Sequence, residues 1–215
     1  MEFKANIYVK EATIIFYKNW TLSQFLFYGS IIIAFFLLFI SVFFGLRNPI
    51  FIKIISFVVF SVPVTLAFSL IYRFFEFEKV KGKIEGQISF EDLGIKINDK
   101  LFLFNEMISF RISYGDKIND KKINNIFKEL SLLPYNSSGL NNYISFRINE
   151  KRYLTNFQII DSSQIDAIQS DLFHYVINEV FPFKKKNLDF IDKKYHNHTL
   201  YKEFIEKMKR EGKLS

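Results

Sequence analysis

Two charge-free apolar runs limit what this chain can become: Trp20–Leu46, 27 residues long, and Ile54–Tyr72, 19 residues long. A helix rises ~1.5 Å per residue and bilayer hydrocarbon is ~30 Å thick, so about 20 apolar residues make one span. Both runs meet that length. Gly45-Leu46-Arg47-Asn48-Pro49 between them supplies turn formers and a charge. The reading is a two-helix transmembrane hairpin over residues 20–74, with spans near 24–46 and 51–73. An N-terminal segment, 1–19, precedes it; a soluble domain, 75–182, and a basic tail, 183–215, follow.

The first run is expected to be an uncleaved anchor. It follows 19 residues that carry two acids, it exceeds the about 7–15 apolar residues of a signal core, and no small-residue cleavage site comes after it. Lys53 can snorkel at the start of the second run. Trp20, Tyr28 and Tyr72 lie towards the run ends, where amphipathic rings favour the headgroup layer. Orientation follows the short flanks: Arg47 and Lys53 in the turn face seven basic residues on the other side, Lys4, Lys10, Lys18, Arg73, Lys79, Lys81 and Lys83. That bias places both termini in the cytoplasm. The spans hold no Asp, Glu, His, Lys or Arg after Lys53, which argues against an ion or proton pathway. Ser61, Thr65 and Ser69 recur every four positions on the second span, as do Ser30 and Ala34 on the first. Such small faces serve helix packing, either within the hairpin or between copies of the chain. Pro63 is expected to kink the second span.

The net charge of +7 is unevenly spread. Residues 1–73 carry 6 basic against 2 acidic residues, 74–182 carry 13 against 15, and 183–215 carry 10 against 5. The basic character belongs to the membrane flanks and tail, so a nucleic-acid partner is not expected. With no cysteine there is no disulfide framework and no thiolate chemistry. The 28 phenylalanines are given little weight, since an AT-rich codon bias yields the same enrichment in Phe, Ile, Lys and Asn.

Beyond Arg73 the pattern alternates with period two, the mark of half-exposed antiparallel strands. Ile84, Gly86, Ile88 and Phe90 read as one strand face, Ile95 and Ile97 as a second, and Leu101–Phe104 as a third strand after an Asn98-Asp99 turn. Ile108, Phe110, Ile112 and Tyr114 alternate with Ser109, Arg111 and Ser113. Ile144, Phe146 and Ile148 do the same before Asn149-Glu150 turns into Tyr153, Thr155, Phe157 and Ile159. The period then becomes helical at Ile165, Ile168, Leu172, Val176 and Val180. Asp161 and Gln164 frame the start and Pro182 the stop. Residues 115–142 are less regular, with a short helix expected over Asn124–Leu133 and loop over Pro134–Gly139. Phe3, Ala5, Ile7 and Val9 alternate too, and a strand over 2–9 is expected to pair with an edge of the sheet.

The stretch Gly86–Ile97 followed by Phe104–Ile108, together with Asn142–Phe146 leading through Tyr153 and Phe157 into a helix, resembles bacterial pleckstrin-homology-like domains. The layout is similar to two-span bacterial membrane proteins carrying such a domain. The resemblance covers residues ~80–182 and implies an α+β fold, an antiparallel partly open barrel capped by a C-terminal helix, on a bacterial inner-membrane protein. Lipid-binding members place basic residues in the first hairpin loop. This chain has Glu91-Asp92 there, so the resemblance implies fold and not headgroup binding by that loop.

No catalytic, cofactor or metal constellation emerges. His196-Asn197-His198 puts two histidines at i and i+2, off a common helical face, without carboxylates to complete a metal site. His174 reads as structural. Asp116, Asp120 and Asn124 read as a polar face, Ser137-Ser138-Gly139 lacks the lysine of a phosphate loop, and no serine sits in a nucleophile turn. The tail carries the main functional expectation. Lys184, Lys185, Lys186, Lys202, Lys207, Lys209 and Arg210 accompany a face of Leu200, Phe204 and Met208 in a helix capped by Thr199. A cationic amphipathic segment of this kind suits an anionic lipid surface. The function expected is a non-enzymatic interaction or scaffolding module at the membrane with an unidentified protein partner. The alternative is a membrane-perturbing effector of a toxin or phage-defence system, oligomerising through Ser61, Thr65 and Ser69.

Overall fold

Period-two alternation shapes the strands, continuous apolarity the two long helices, and helical periodicity the two shorter ones. The computed structural model describes residues 2–11, 20–44, 49–122, 134–181 and 184–214. They fall into two compact units: Met1–Lys10 with Gly82–Ile118 and Gly139–Ser215, and Glu11–Lys81 with Asn119–Ser138.

The first unit is an antiparallel sheet of seven strands. They are β1 Lys4–Lys10, β2 Gly82–Glu91, β3 Gly94–Ile97, β4 Lys100–Leu103, β5 Ile108–Ser113, β8 Asn142–Ile148 and β9 Lys151–Gln158. Two further short strands, β6 and β7, lie between β5 and β8 in the chain. The sheet order is β4-β3-β2-β1-β9-β8-β5. The N-terminal strand is therefore not at an edge, as the sequence led us to expect, but at the centre. Lys4 pairs with Ser89 and Lys10 with Gly82 on one side, while Ile7 pairs with Phe157 on the other. The reason is the core. Phe3 is fully buried, and its ring meets Phe90 at 4.9 Å and Phe157 at 5.6 Å, both edge-on.

Helix α3, Ser162–Ile177, covers this core with Ile168, Leu172 and Val176. Asp161 Oδ1 accepts from Gln164 N–H at 3.2 Å, as the sequence suggests. The Gln164 side chain accepts from Ile160 N–H and donates to Lys4 O, which ties the helix start to β1. Phe3 N–H donates to Asp171 Oδ2 at 3.1 Å; burial raises the Asp171 carboxyl above its ordinary range. The helix stops before Pro182. Glu179 takes a left-handed φ of 54°, and Val180 N–H reaches Tyr175 O while Glu179 N–H reaches Val176 O, a Schellman close. The Tyr175 hydroxyl donates to Glu91 O at 2.8 Å.

Two residues break the expected face pattern, and each sits beside a register shift. In β2, Asn6 pairs with Gln87 but Tyr8 with Ile84, so one extra residue lies near Gly86. Past that bulge Ile84 turns outward and is 43% exposed, whereas Ile88 and Phe90 stay buried. Gly86 has φ +84°, and a Cβ there would lie 2.0 Å from Asn98 Oδ1, the atom that accepts from Gln87 N–H. In β5, Ile108 pairs with Arg147 but Arg111 with Ser145, and Ser109 has φ +60°. Ile108 is consequently 56% exposed while Phe110 is buried.

Residues 183–215, set apart as a tail by composition, belong to this same unit. Helix α4, Thr199–Arg210, places Phe204 and Met208 in the sheet unit's core.

The second unit contains helices α1 Leu22–Phe44 and α2 Pro49–Tyr72. They start about two residues earlier than expected; Pro49 opens α2, a position where its missing N–H costs nothing, and the helix runs on through Pro63. β6 Ile118–Lys121 and β7 Asn136–Ser138 form a two-stranded ribbon, so part of the expected Pro134–Gly139 loop is strand. The expected helix over Asn124–Leu133 lies outside the described residues, as does the linker at 45–48.

Replacing Phe3 by Ala should remove the ring that joins β1 to Phe90 and Phe157 and cost about 3–5 kcal/mol. Thermal unfolding of the full chain in detergent checks this: a midpoint indistinguishable from the parent would contradict a central, core-filling β1.

Candidate functional site

The polar residues of the helical unit gather where α1 begins and α2 ends. Thr21 N–H donates to Gln24 Oε1 at 3.0 Å and Gln24 N–H points back to Thr21 Oγ1 at 3.4 Å, a Thr-x-x-Gln capping box. Ser23 N–H donates to Glu76 Oε1 at 2.9 Å, and the fully buried Ser23 hydroxyl donates to Glu76 Oε2. A carboxylate thus sits at the positive end of α1, where the helix dipole and unpaired N–H groups favour it. Glu76 comes from the segment that leaves α2, so one side chain joins both helices.

That segment is held in turn by β7. Tyr135 N–H donates to Arg73 O at 3.2 Å, Asn136 N–H to Glu76 O at 3.1 Å and Glu78 N–H to Asn136 O at 3.0 Å. Asn136 Nδ2 donates to Phe74 O at 3.1 Å, and Lys122 pairs with Glu78 at 2.5 Å. The rings of Phe74 and Tyr135 meet edge-on at 5.2 Å, and the buried Arg73 guanidinium lies 5.0 Å from the Phe74 ring. The irregular insertion between β5 and β8 therefore supplies a clasp for the foot of the helix pair. Among its described residues the contacts are positional: backbone and side-chain hydrogen bonds, the Lys122–Glu78 ion pair and the Tyr135 ring contact.

Ser61, Thr65 and Ser69 lie on α2 as the spacing requires. Their hydroxyls bond to their own helix, Ser61 to Val58 O, Thr65 to Ser61 O and Ser69 to Leu66 O. Ser69 is fully buried and Ser30 of α1 nearly so, while Ser61 and Thr65 are half-buried.

The basic residues named from the tail are all exposed: Lys184, Lys185, Lys186, Lys202, Lys207, Lys209 and Arg210. They are not alike. Lys207 pairs with Glu179 and, by its hydrogen bond, holds that carboxyl below its usual range. Much of the apolar side of α4 is already occupied, because Phe204 and Met208 are buried in the core. Outward lie Leu200, 44% exposed, and the charged residues Lys202, Glu203, Glu206, Lys207, Lys209 and Arg210. Thr199 is not the cap of α4; His198 is, its Nδ1 accepting from Leu200 N–H at 3.3 Å. The His198 ring packs edge-on to Phe173 at 5.3 Å, and His196 stacks on Tyr201 at 4.8 Å. These contacts give the histidine pair a packing role. Among the described residues, no three His, Asp or Glu side chains converge as a metal-binding group.

Glu76 and its partners escaped the sequence reading, which looked for catalytic residues and passed over a lone acid after a span. The available signal was Thr21-Leu22-Ser23-Gln24 at the start of the first run, a capping box in the letters. Compared with family models, curated proteins and solved structures, the chain finds no match in any of the three.

Glu76→Ala should remove the carboxylate from the N-terminus of α1 and leave the buried Ser23 hydroxyl with Thr21 Oγ1 alone, lowering hairpin stability by about 1–2 kcal/mol, with Glu76→Gln intermediate. Trp20, the chain's single tryptophan, packs with its ring 5.0 Å from that of Tyr28 at the same helix end and reports the loss by fluorescence in detergent. Unchanged melting of the Trp20 signal would rule out the cap.

Proposed function

We propose that the chain is a non-enzymatic, two-span protein of the bacterial inner membrane whose sheet domain, pleckstrin-homology-like in layout, is a cytoplasmic interaction module held at the membrane surface. The observation that carries the reading is the exposure of the helices. Windows over Leu22–Phe43 and Ile55–Phe75 reach mean hydropathies of 2.6 and 2.1, yet only 6% of either window is buried. A core helix of a water-soluble domain would be covered. Continuous exposed apolar surface of this extent calls for lipid or a partner around it.

The sheet supports a common side for both ends of the helix pair. β1 and β2 are adjacent antiparallel strands with Lys10 opposite Gly82, and Glu11 N–H donates to Lys81 O at 2.8 Å. The chain leaves for the helices and returns at neighbouring positions, which a hairpin crossing the bilayer twice requires. The basic flanks favour the cytoplasm for that side. The outward cations of the C-terminal segment suit attraction to an anionic leaflet, falling off within about 10 Å at 0.1 M salt.

The membrane-perturbing alternative needs the Ser61 and Thr65 face free for a second copy. Half-burial of these residues gives it no specific support, and the module reading is preferred.

The test is location and orientation. The full chain should stay with the membrane pellet after an alkaline carbonate wash. Cytoplasm-dependent fluorescent reporters fused at either end should both light, while periplasm-dependent phosphatase fusions should not. A chain recovered in the soluble fraction, or termini on opposite sides, would refute the reading.

A further inference from the structure

Six of the 29 basic residues are arginine, and three of those, Arg111, Arg147 and Arg152, are the only arginines between residues 74 and 209. All three line one open pocket of about 300 Å³ on the sheet unit, with Ser109, Ser145 and Phe146. Arg147 of β8 stands directly opposite Arg152 of β9, and Arg111 of β5 is opposite Ser145, two residues from Arg147. Like charges facing each other across a ladder repel. No acidic side chain lines the pocket among the described residues. The surrounding stretch 74–182 has more acids than bases, 15 against 13, so chance basicity does not explain the gathering.

The bulge at Ser109 completes the arrangement. Ser109 also lines a small adjoining cavity with Lys184 and Lys186. Three cations and two hydroxyls thus surround the larger hollow, and Ser109 is the wall it shares with the smaller cavity that Lys184 and Lys186 line. We propose that this pocket is a binding site for a phosphate monoester. Guanidinium groups present planar pairs of donors that match phosphate oxygens, and a dianion between Arg147 and Arg152 turns their repulsion into attraction. Ser109 and Ser145 add hydroxyl donors. The volume admits the phosphate and a small group carrying it. The site lies on β5, β8 and β9, not on the acidic Glu91-Asp92 hairpin loop, and belongs to the sheet unit alone.

A monoester reaches such a pocket either as a free phosphorylated metabolite or as a lipid headgroup, and two probes separate these. The full chain in neutral detergent is titrated calorimetrically with glycerol 3-phosphate, and in parallel with dioctanoyl phosphatidic acid carried in the same micelles. Saturable binding of the first assigns a soluble ligand; binding of the second alone assigns a lipid. In either case Arg147→Gln/Arg152→Gln should weaken binding at least about tenfold. The same variant without ligand should melt no lower than the parent, because a repulsive pair has gone. Absence of saturable binding by both probes overturns the proposal. So does binding that the double variant leaves unchanged.

Discussion

The pairing of β1 between β2 and β9 is the constraint on which the rest of the molecule depends. Seven residues at the start of the chain fill the middle of a sheet whose other strands all come after residue 81. Phe3 brings the core contacts, Gln164 and Asp171 of α3 hold the strand's backbone, and β2 and β9 take its two edges. The sheet is therefore incomplete until the segment that precedes the helices and the segment that follows them have met. The helix pair is, in topology, a very long connection between two antiparallel neighbours.

Within the helical unit a second closure repeats that logic on a smaller scale. Glu76, just past α2, caps the first turn of α1, and β7 fixes the backbone around Glu76 and Glu78. A charged group at a helix N-terminus is worth more where water is scarce, because its competing solvation is weaker. The same residues therefore serve as cap, spacer and clasp. An insertion that sequence periodicity leaves formless acquires a purpose from the partners it holds.

Much of the sheet was legible because alternation states its own geometry. Asn98 and the Asn149-Glu150 pair carry the positive φ values of tight turns, and Asp161 begins the helix it was expected to begin. Legibility fails at Ile84 and Ile108 for one physical reason: a bulge adds a residue and exchanges the two faces, and alternation read in letters cannot register it. The C-terminal segment shows a different limit. An amphipathic helix shows that its apolar side will be covered, but not by what, and here Phe204 and Met208 go to the domain's own core. Arg147 and Arg152 face each other across the hairpin whose turn the sequence shows, but Arg111 lies 36 residues earlier and joins them only through the β5-β8 register. Their pocket lies beside the bulged Ser109, where the local rule breaks, as is common at sites of function.

The central claim can be tested with a crosslink, since the chain has no cysteine of its own. Val9 and Lys83 are register partners in β1 and β2. Antiparallel partners lie about 4.5–5.5 Å apart, within the range a disulfide accepts. The pair Val9→Cys/Lys83→Cys should oxidise to a single intramolecular disulfide in membranes, while Val9→Cys paired with a cysteine at exposed Leu101 should stay reduced. Failure of the first pair to close, or equal closure by the second, would contradict a β1 held beside β2 at the centre of the sheet.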